Sequence, residues 1–209
     1  MKLQIYGKSV KGKDHKENED AFLINKRKNL FAVADGVSNP PGGREAAIKS
    51  LNYLNKFFKN NLHEAIKKTN IKIIEEKKKN PKIGYTTLTA VNIKNNNLEM
   101  AHIGDSSLFL IEENKIKKLT VSQSYFGILT QVLGMESISP QIDEIKLKEN
   151  SILLLCTDGI TSVIKDEELL EMAMAYKKIK EIVEGIIRKA NEKPQSYNDD
   201  KTIIAILVR

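Results

Sequence analysis

Apolar runs that stop abruptly on an acid and a glycine constrain this chain more than any other feature. Phe31-Ala32-Val33-Ala34 leads into Asp35-Gly36, and Ile152-Leu153-Leu154-Leu155-Cys156-Thr157 leads into Asp158-Gly159. Runs of this kind read as buried strands. A strand that ends this way places a carboxylate at the lip of a sheet, and the glycine lets the backbone turn with positive φ. Asp-Gly alone is a plain turn signal. Here it recurs, and Glu19-Asp20, Asp105 and Asp199 also flank apolar stretches. If the strands share a sheet or a pair of sheets, these acids meet at one end. Crowded carboxylates repel one another and retain protons. Hard divalent cations relieve that repulsion, and all-oxygen ligation selects magnesium or manganese over zinc.

The order of elements points to layered sheets. Strands are expected over Leu3–Val10, Ala21–Asn25 and residues 30–35, with a polar hairpin connection at 26–29. After Pro40-Pro41-Gly42-Gly43, the residues Ala47, Leu51, Leu54 and Phe58 recur at helical spacing. A second helix carries Leu62, Ile66 and Ile73 and stops at Asn80-Pro81. Further strands are expected over 86–93 and 98–111, joined by Asn95-Asn96-Asn97, and a short helix around 128–133. Residues 151–157 read as a strand, Ile179, Ile182, Val183, Ile186 and Ala190 mark a late helix, and 202–208 close the chain as a strand. Two long helices between blocks of consecutive strands argue for packed sheets with helices outside, not a doubly wound parallel sheet.

Six segments in order carry a family resemblance. They are Asn18-Glu19-Asp20; Val33-Ala34-Asp35-Gly36-Val37 with Gly42-Gly43 following; Gly84-Tyr85-Thr86-Thr87-Leu88; Ile103-Gly104-Asp105-Ser106; Leu155-Cys156-Thr157-Asp158-Gly159; and Asp199-Asp200-Lys201-Thr202. Each is weak alone, but together the chain resembles the metal-dependent serine/threonine protein phosphatases of the 2C type along essentially its whole length. The resemblance implies an α+β fold, a four-layer α-β-β-α sandwich with two central antiparallel β-sheets flanked by helices. It implies one catalytic domain over residues 1–209, with a reduced flap at about 121–150. The implied reaction is hydrolysis of phosphoserine and phosphothreonine in proteins through a water bridging two manganese or magnesium ions. Asp35, Asp158 and Asp199 are the implied catalytic acids. Asp35 would bridge both ions, with Glu19 and the Gly36 carbonyl on one and Asp158 and Asp199 on the other. Asp20 would orient ligands from behind. Asp200 stands beside Asp199 as an alternative, and the spacing to Thr202 favours Asp199. Asp105 matches an acid used at a third, weaker metal site, or else is structural.

The departures from the family pattern bear on substrate. His15 stands where relatives carry an arginine that grips the phosphate in a fork, so phosphate binding is expected to be weakened. Lys13 or Lys16 would compensate, depending on which faces the site. Val37 occupies the position of a histidine proposed elsewhere as general acid. Ser38-Asn39-Pro40-Pro41 lengthens the loop after Gly36, while Ser107 and Ser162 replace residues associated with the third ion. A shorter flap implies a more open cleft and an altered range of protein substrates.

Composition excludes several other classes. A chain of 209 residues, 41% hydrophobic, has room for a substantial core. A single cysteine, Cys156, excludes an internal disulfide framework and reads as a buried structural thiol. No apolar run approaches the ~20 residues that span a bilayer, and the first residues alternate like a strand rather than a signal peptide, so a cytoplasmic location is expected. The net charge of +7 has two readings. It would attract phosphorylated or nucleic-acid partners, or it reflects solvated helix faces such as Lys77-Lys78-Lys79. Aromatic residues are not interleaved with the basic ones, which argues against nucleic acid. The expected partner is a phosphorylated protein, in opposition to a serine/threonine kinase, with no membrane. A degenerate member that binds a phosphorylated partner with little turnover is the alternative, followed by a basic nucleic-acid-binding module. Gly7-Lys8-Ser9 lacks the first glycine of a phosphate-binding loop. His63 is expected to be exposed and His102 packed, and the three histidines lack metal-ligand spacing.

Overall fold

The computed structural model describes residues 2–209. In chain order it contains β1 (Leu3–Val10), β2 (Ala21–Asn25), β3 (Leu30–Ala34), α1 (Gly43–Phe57), α2 (Leu62–Lys79), β4 (Leu88–Lys94), β5 (Asn97–Ile103), β6 (Ser107–Glu112) and β7 (Lys115–Lys118). There follow β8 (Ser124–Tyr125), β9 (Ile128–Leu129), β10 (Gln141–Lys146), β11 (Ile152–Cys156), α3 (Asp158–Thr161), α4 (Asp166–Ala175), α5 (Ile179–Glu192) and β12 (Lys201–Val208). One five-stranded sheet has the order β1-β12-β11-β6-β7, and the other β10-β5-β4-β3-β2. Every pairing within them is antiparallel.

The unbroken apolar runs exist because these strands are covered on both faces. In β3, Phe31 and Val33 join the cluster between the sheets, while Leu30, Ala32 and Ala34 pack against α1 and α2. In β12, Ile204, Ile206 and Val208 enter the inter-sheet cluster, and Ile203, Ala205 and Leu207 face α4 and α5. The result is the four-layer α-β-β-α sandwich. Helix faces follow the expected spacing: Ala47, Leu51 and Leu54 of α1, and Ile179, Ile182, Val183, Ile186 and Ala190 of α5, are all buried. No helix among the described residues is long and apolar enough to cross a membrane.

Two expectations are corrected, and two helices are added. The stretch 98–111 is two strands in different sheets, not one. Gly104 has φ of 106° and turns the chain across, and a Cβ there would lie 2.6 Å from Thr87, so the break is set by a close approach. The helix expected around 128–133 is absent among the described residues. Phe126 and Gly127 both have positive φ and close the β8–β9 hairpin, and the Leu133 N–H then donates to the Thr86 carbonyl at 2.8 Å. The short α3 and the longer α4 were not anticipated. Acidic Asp166, Glu167 and Glu168 fill the first turn of α4, and Glu168 accepts from the Lys165 N–H at 3.0 Å.

His102 is packed as expected, with Nδ1 2.8 Å from the Thr89 hydroxyl and Nε2 3.2 Å from the Val121 carbonyl. Burial lowers its pKa to about 4. An unfolded histidine titrates near pH 6.5, so the unfolded chain takes up the proton first as pH falls. This imidazole therefore contributes its full stability above about pH 6.5 and loses it as pH drops toward 4, by about 3 kcal/mol. In urea unfolding, the stability gap between the native chain and His102→Gln should narrow by about that amount between pH 7 and pH 4. A gap independent of pH would contradict a buried neutral ring.

Candidate metal centre

The acids converge because the ends of β3, β5, β11 and the start of β12 lie at one edge of the stacked sheets. Asp35 follows β3, and its backbone is clamped there. Its N–H donates to the Thr87 hydroxyl at 3.0 Å, and its carbonyl accepts from the Thr87 N–H and the Thr86 hydroxyl, each at 2.8 Å. Thr87 in turn shares a 2.8 Å hydroxyl contact with Ser106, which fixes the turn that carries Asp105. The Gly36 N–H donates to the Glu19 carbonyl at 3.2 Å, joining the loop after β3 to the lead-in of β2. Asp158 opens α3 directly after β11. At the next residue, a Cβ on Gly159 would sit 1.9 Å from the Asp200 carbonyl, so only glycine lets the 158 and 199 segments approach this closely.

The electrostatics show which carboxylates face one another. Burial raises the pKa of Asp20 to about 8, and the charges of Asp200 and Asp158 push in the same direction. Asp35 is raised well above the carboxylate range, first by burial and then by Asp20, Asp158 and Asp199. Asp199 is raised by burial and by Asp158. Asp105 is raised to about 6, again by burial first, with Asp158 and Asp199 adding to it. Asp20, Asp35, Asp105, Asp158 and Asp199 thus form one mutually repelling group. Asp158 Oδ1 is buried with no hydrogen-bond partner among the described residues. An orphaned carboxylate oxygen amid like charges is a costly arrangement. The oxygen-only donor set fits a hard divalent cation.

The neighbouring residues divide into supports and bystanders. Asp20 accepts from the Thr157 hydroxyl at 2.7 Å, which ties β2 to the end of β11. Glu19 accepts from the Ser38 hydroxyl. Asp200 takes both the Gly12 and Glu19 N–H groups at 2.7 Å, one on each oxygen, so its carboxylate is committed to holding the β1–β2 loop. His15 is only 7% exposed at its side chain. Its Nδ1 lies 3.1 Å from Asp200 and 3.6 Å from Glu19, and its Nε2 lies 2.9 Å from Asp199 and 2.7 Å from the Tyr197 hydroxyl. Both ring nitrogens are therefore engaged by this chain's own groups. His15, Asp199 and Asp200 bring three ligating atoms within 4.8 Å of one another, a grouping that linear spacing conceals. Lys13 and Lys16 are exposed on the same loop. Sequence reasoning missed Lys201, which is buried and donates to the Asp199 carbonyl at 2.7 Å and to Asn198 Oδ1 at 3.1 Å. It also missed Ser38 and Tyr197; no local pattern marks either.

Two face-to-face antiparallel sheets with an acid cluster at their shared edge define the class, a domain of the metal-dependent protein phosphatase 2C type. Within it, the family model described as Stage II sporulation protein E (SpoIIE) matches residues 27–209, and the chain belongs to that family. The segment with His15, Glu19 and Asp20 precedes the matched span. The chain is similar to the serine/threonine phosphatase stp of Listeria innocua, 24% identical over 231 aligned positions, covering 93% of this chain and 90% of that protein. The fold matches the crystal structure of the Mycobacterium tuberculosis serine/threonine phosphatase PstP/Ppp with a TM-score of 0.90, at 21% identity over 99% of both chains. It also matches the PstP catalytic domain described in complex with 2 manganese ions, with a TM-score of 0.87 at 21% identity over 99% of both chains.

Proposed function

We propose that this chain is a metal-dependent phosphatase that hydrolyses phosphoserine and phosphothreonine in proteins, using two divalent ions at the edge of the sheets. The observation that carries the reading is the acid group around Asp158, whose buried Oδ1 has no partner among the described residues. Glu19, Asp35, the Gly36 carbonyl, Asp158 and Asp199 would hold the ions, with Asp35 the acid best placed between the other carboxylates. Bound there, manganese or magnesium would neutralise phosphoryl oxygens and activate water for attack. Asp20 orients this group through its bond from Thr157. Asp105 is the acid available to a third ion, with Ser107 and Ser162 giving that ion little support. Lys13 and Lys16, exposed beside His15, supply positive field for the phosphate dianion. The chain acts as one catalytic domain over residues 1–209, with its reduced flap at 121–150, in the cytoplasm and against a serine/threonine kinase.

Hydrolysis of an aryl phosphate and of a phosphothreonine peptide tests the reading. Turnover should require added manganese or magnesium and vanish with chelator. A rate indifferent to chelator contradicts it. One observation bears on a second reading, in which turnover is lost: with both nitrogens of His15 engaged, that side chain is not free to orient the phosphate for attack. Phosphopeptide binding without turnover would identify a chain that retains phosphorylated partners instead.

A further inference from the structure

Between the loop that carries Asp35 and the β8–β9 hairpin runs a groove of about 520 Å³. Val37, Pro40, Tyr85, Ile128, Leu129 and Val132 line most of it, and none of the described residues lining it is charged. Its volume lies within the range of pockets that enclose small ligands, so a large apolar side chain fits. The hairpin leaves Ile128 72% exposed, with Tyr125 at 68% and Phe126 at 88% beside it. Large apolar side chains clustered in water mark an interaction surface. The groove shares a wall with the acid cluster's own loop. Val37 follows Gly36 directly, and its N–H donates to the Tyr85 carbonyl at 2.9 Å, so one wall of the groove is the loop that bears Asp35.

We propose that this groove takes an apolar side chain of the phosphoprotein substrate close in sequence to the phosphorylated serine or threonine, because Val37 in its wall lies only two residues after Asp35. The inference rests on the phosphatase reading and adds a substrate class to it: phosphosites flanked by leucine-like residues, not by acids. The hairpin acts as the specificity element, and Ile128 is its main contact.

The test compares two phosphothreonine peptides that differ only in a leucine or an alanine at the flanking position. Their kcat/KM ratio is read in manganese, and their Kd ratio is read as non-hydrolysable phosphonates. The native chain should favour leucine by about tenfold in both, the scale of a few methylenes in an apolar pocket. Ile128→Ser should bring both ratios near one, and a general loss of activity cancels in the ratio. Ordinary turnover with a native ratio near one overturns the groove and leaves the phosphatase reading intact. A tenfold binding ratio without turnover does the reverse. A native chain that sediments as a dimer dispersed by Ile128→Ser, with a ratio near one, would assign the groove to a second copy and overturn the proposal.

Discussion

Replacing Asp35 with asparagine is expected to lower metal-dependent turnover by at least about 10²-fold, the scale of losing one fixed electrostatic stabiliser, while making the metal-free chain more stable. The two effects have one cause. Burial, with Asp20, Asp158 and Asp199 nearby, holds the Asp35 carboxyl well above its ordinary range. A carboxyl whose folded pKa is raised contributes stability below its unfolded value, near 3.9, and loses it as pH climbs through the folded value. The metal-free native chain therefore weakens toward alkaline pH, and Asp35→Asn removes that loss. Near pH 4 the variant and the native chain should melt together. At pH 8 without metal the variant should melt higher by several degrees, since about 1 kcal/mol moves Tm by roughly 2–4 °C at this size. Added manganese should reverse the order, because only the native chain gains binding free energy from it. A variant with native turnover, or one that melts lower than the native chain at pH 8 without metal, would show that Asp35 is an ordinary turn acid.

The same logic separates what was legible in the sequence from what was not. β3, β11 and β12 were legible because burial on both faces leaves continuous apolar runs, and the acids that end them were legible because a carboxylate has no reason to stop a buried strand repeatedly. The helical faces of α1, α2 and α5 were legible from spacing alone. Gly104 was not: the run from 98 to 111 is apolar on both sides of it, and the crossing between sheets depends on its approach to Thr87. The hairpin at 124–129 was hidden because Phe126-Gly127 is not among the usual turn pairs, and Ile128, Leu129 and Val132 imitate a helical face. Apart from Glu19, the partners of His15 (Tyr197, Asp199 and Asp200) come from the far end of the chain, so no spacing rule reaches them. Nothing local marks Lys201 as buried; its ammonium is held by the Asp199 carbonyl and Asn198 Oδ1, with the charges of Asp199, Asp200 and Asp20 nearby.

Adjacent Asp199 and Asp200 should behave as opposites, which decides between the two candidate ligands that the sequence left side by side. Asp200 is buried and spends both oxygens on the Gly12 and Glu19 N–H groups, with His15 Nδ1 3.1 Å away. Removing that carboxylate leaves two donors and an imidazole without their acceptor. Asp200→Ala is therefore expected to cost about 3–5 kcal/mol, seen as a Tm drop on the order of 10 °C. Asp199 is half-buried, and its own pKa is raised by burial and by Asp158. Asp199→Ala relieves that repulsion but also removes the acceptor of the Asp200 N–H and a partner of His15 Nε2, so the two effects oppose and the metal-free chain should melt close to the native temperature. The response to manganese should invert the pair: Asp199→Ala loses the metal-induced rise in Tm together with turnover, whereas the folded fraction of Asp200→Ala keeps the rise. The reverse pattern, with the rise lost in Asp200→Ala and kept in Asp199→Ala, would transfer the ligand role to Asp200. His15 would then be orienting a metal ligand through its Nδ1, where the present geometry has it bracing the β1–β2 loop.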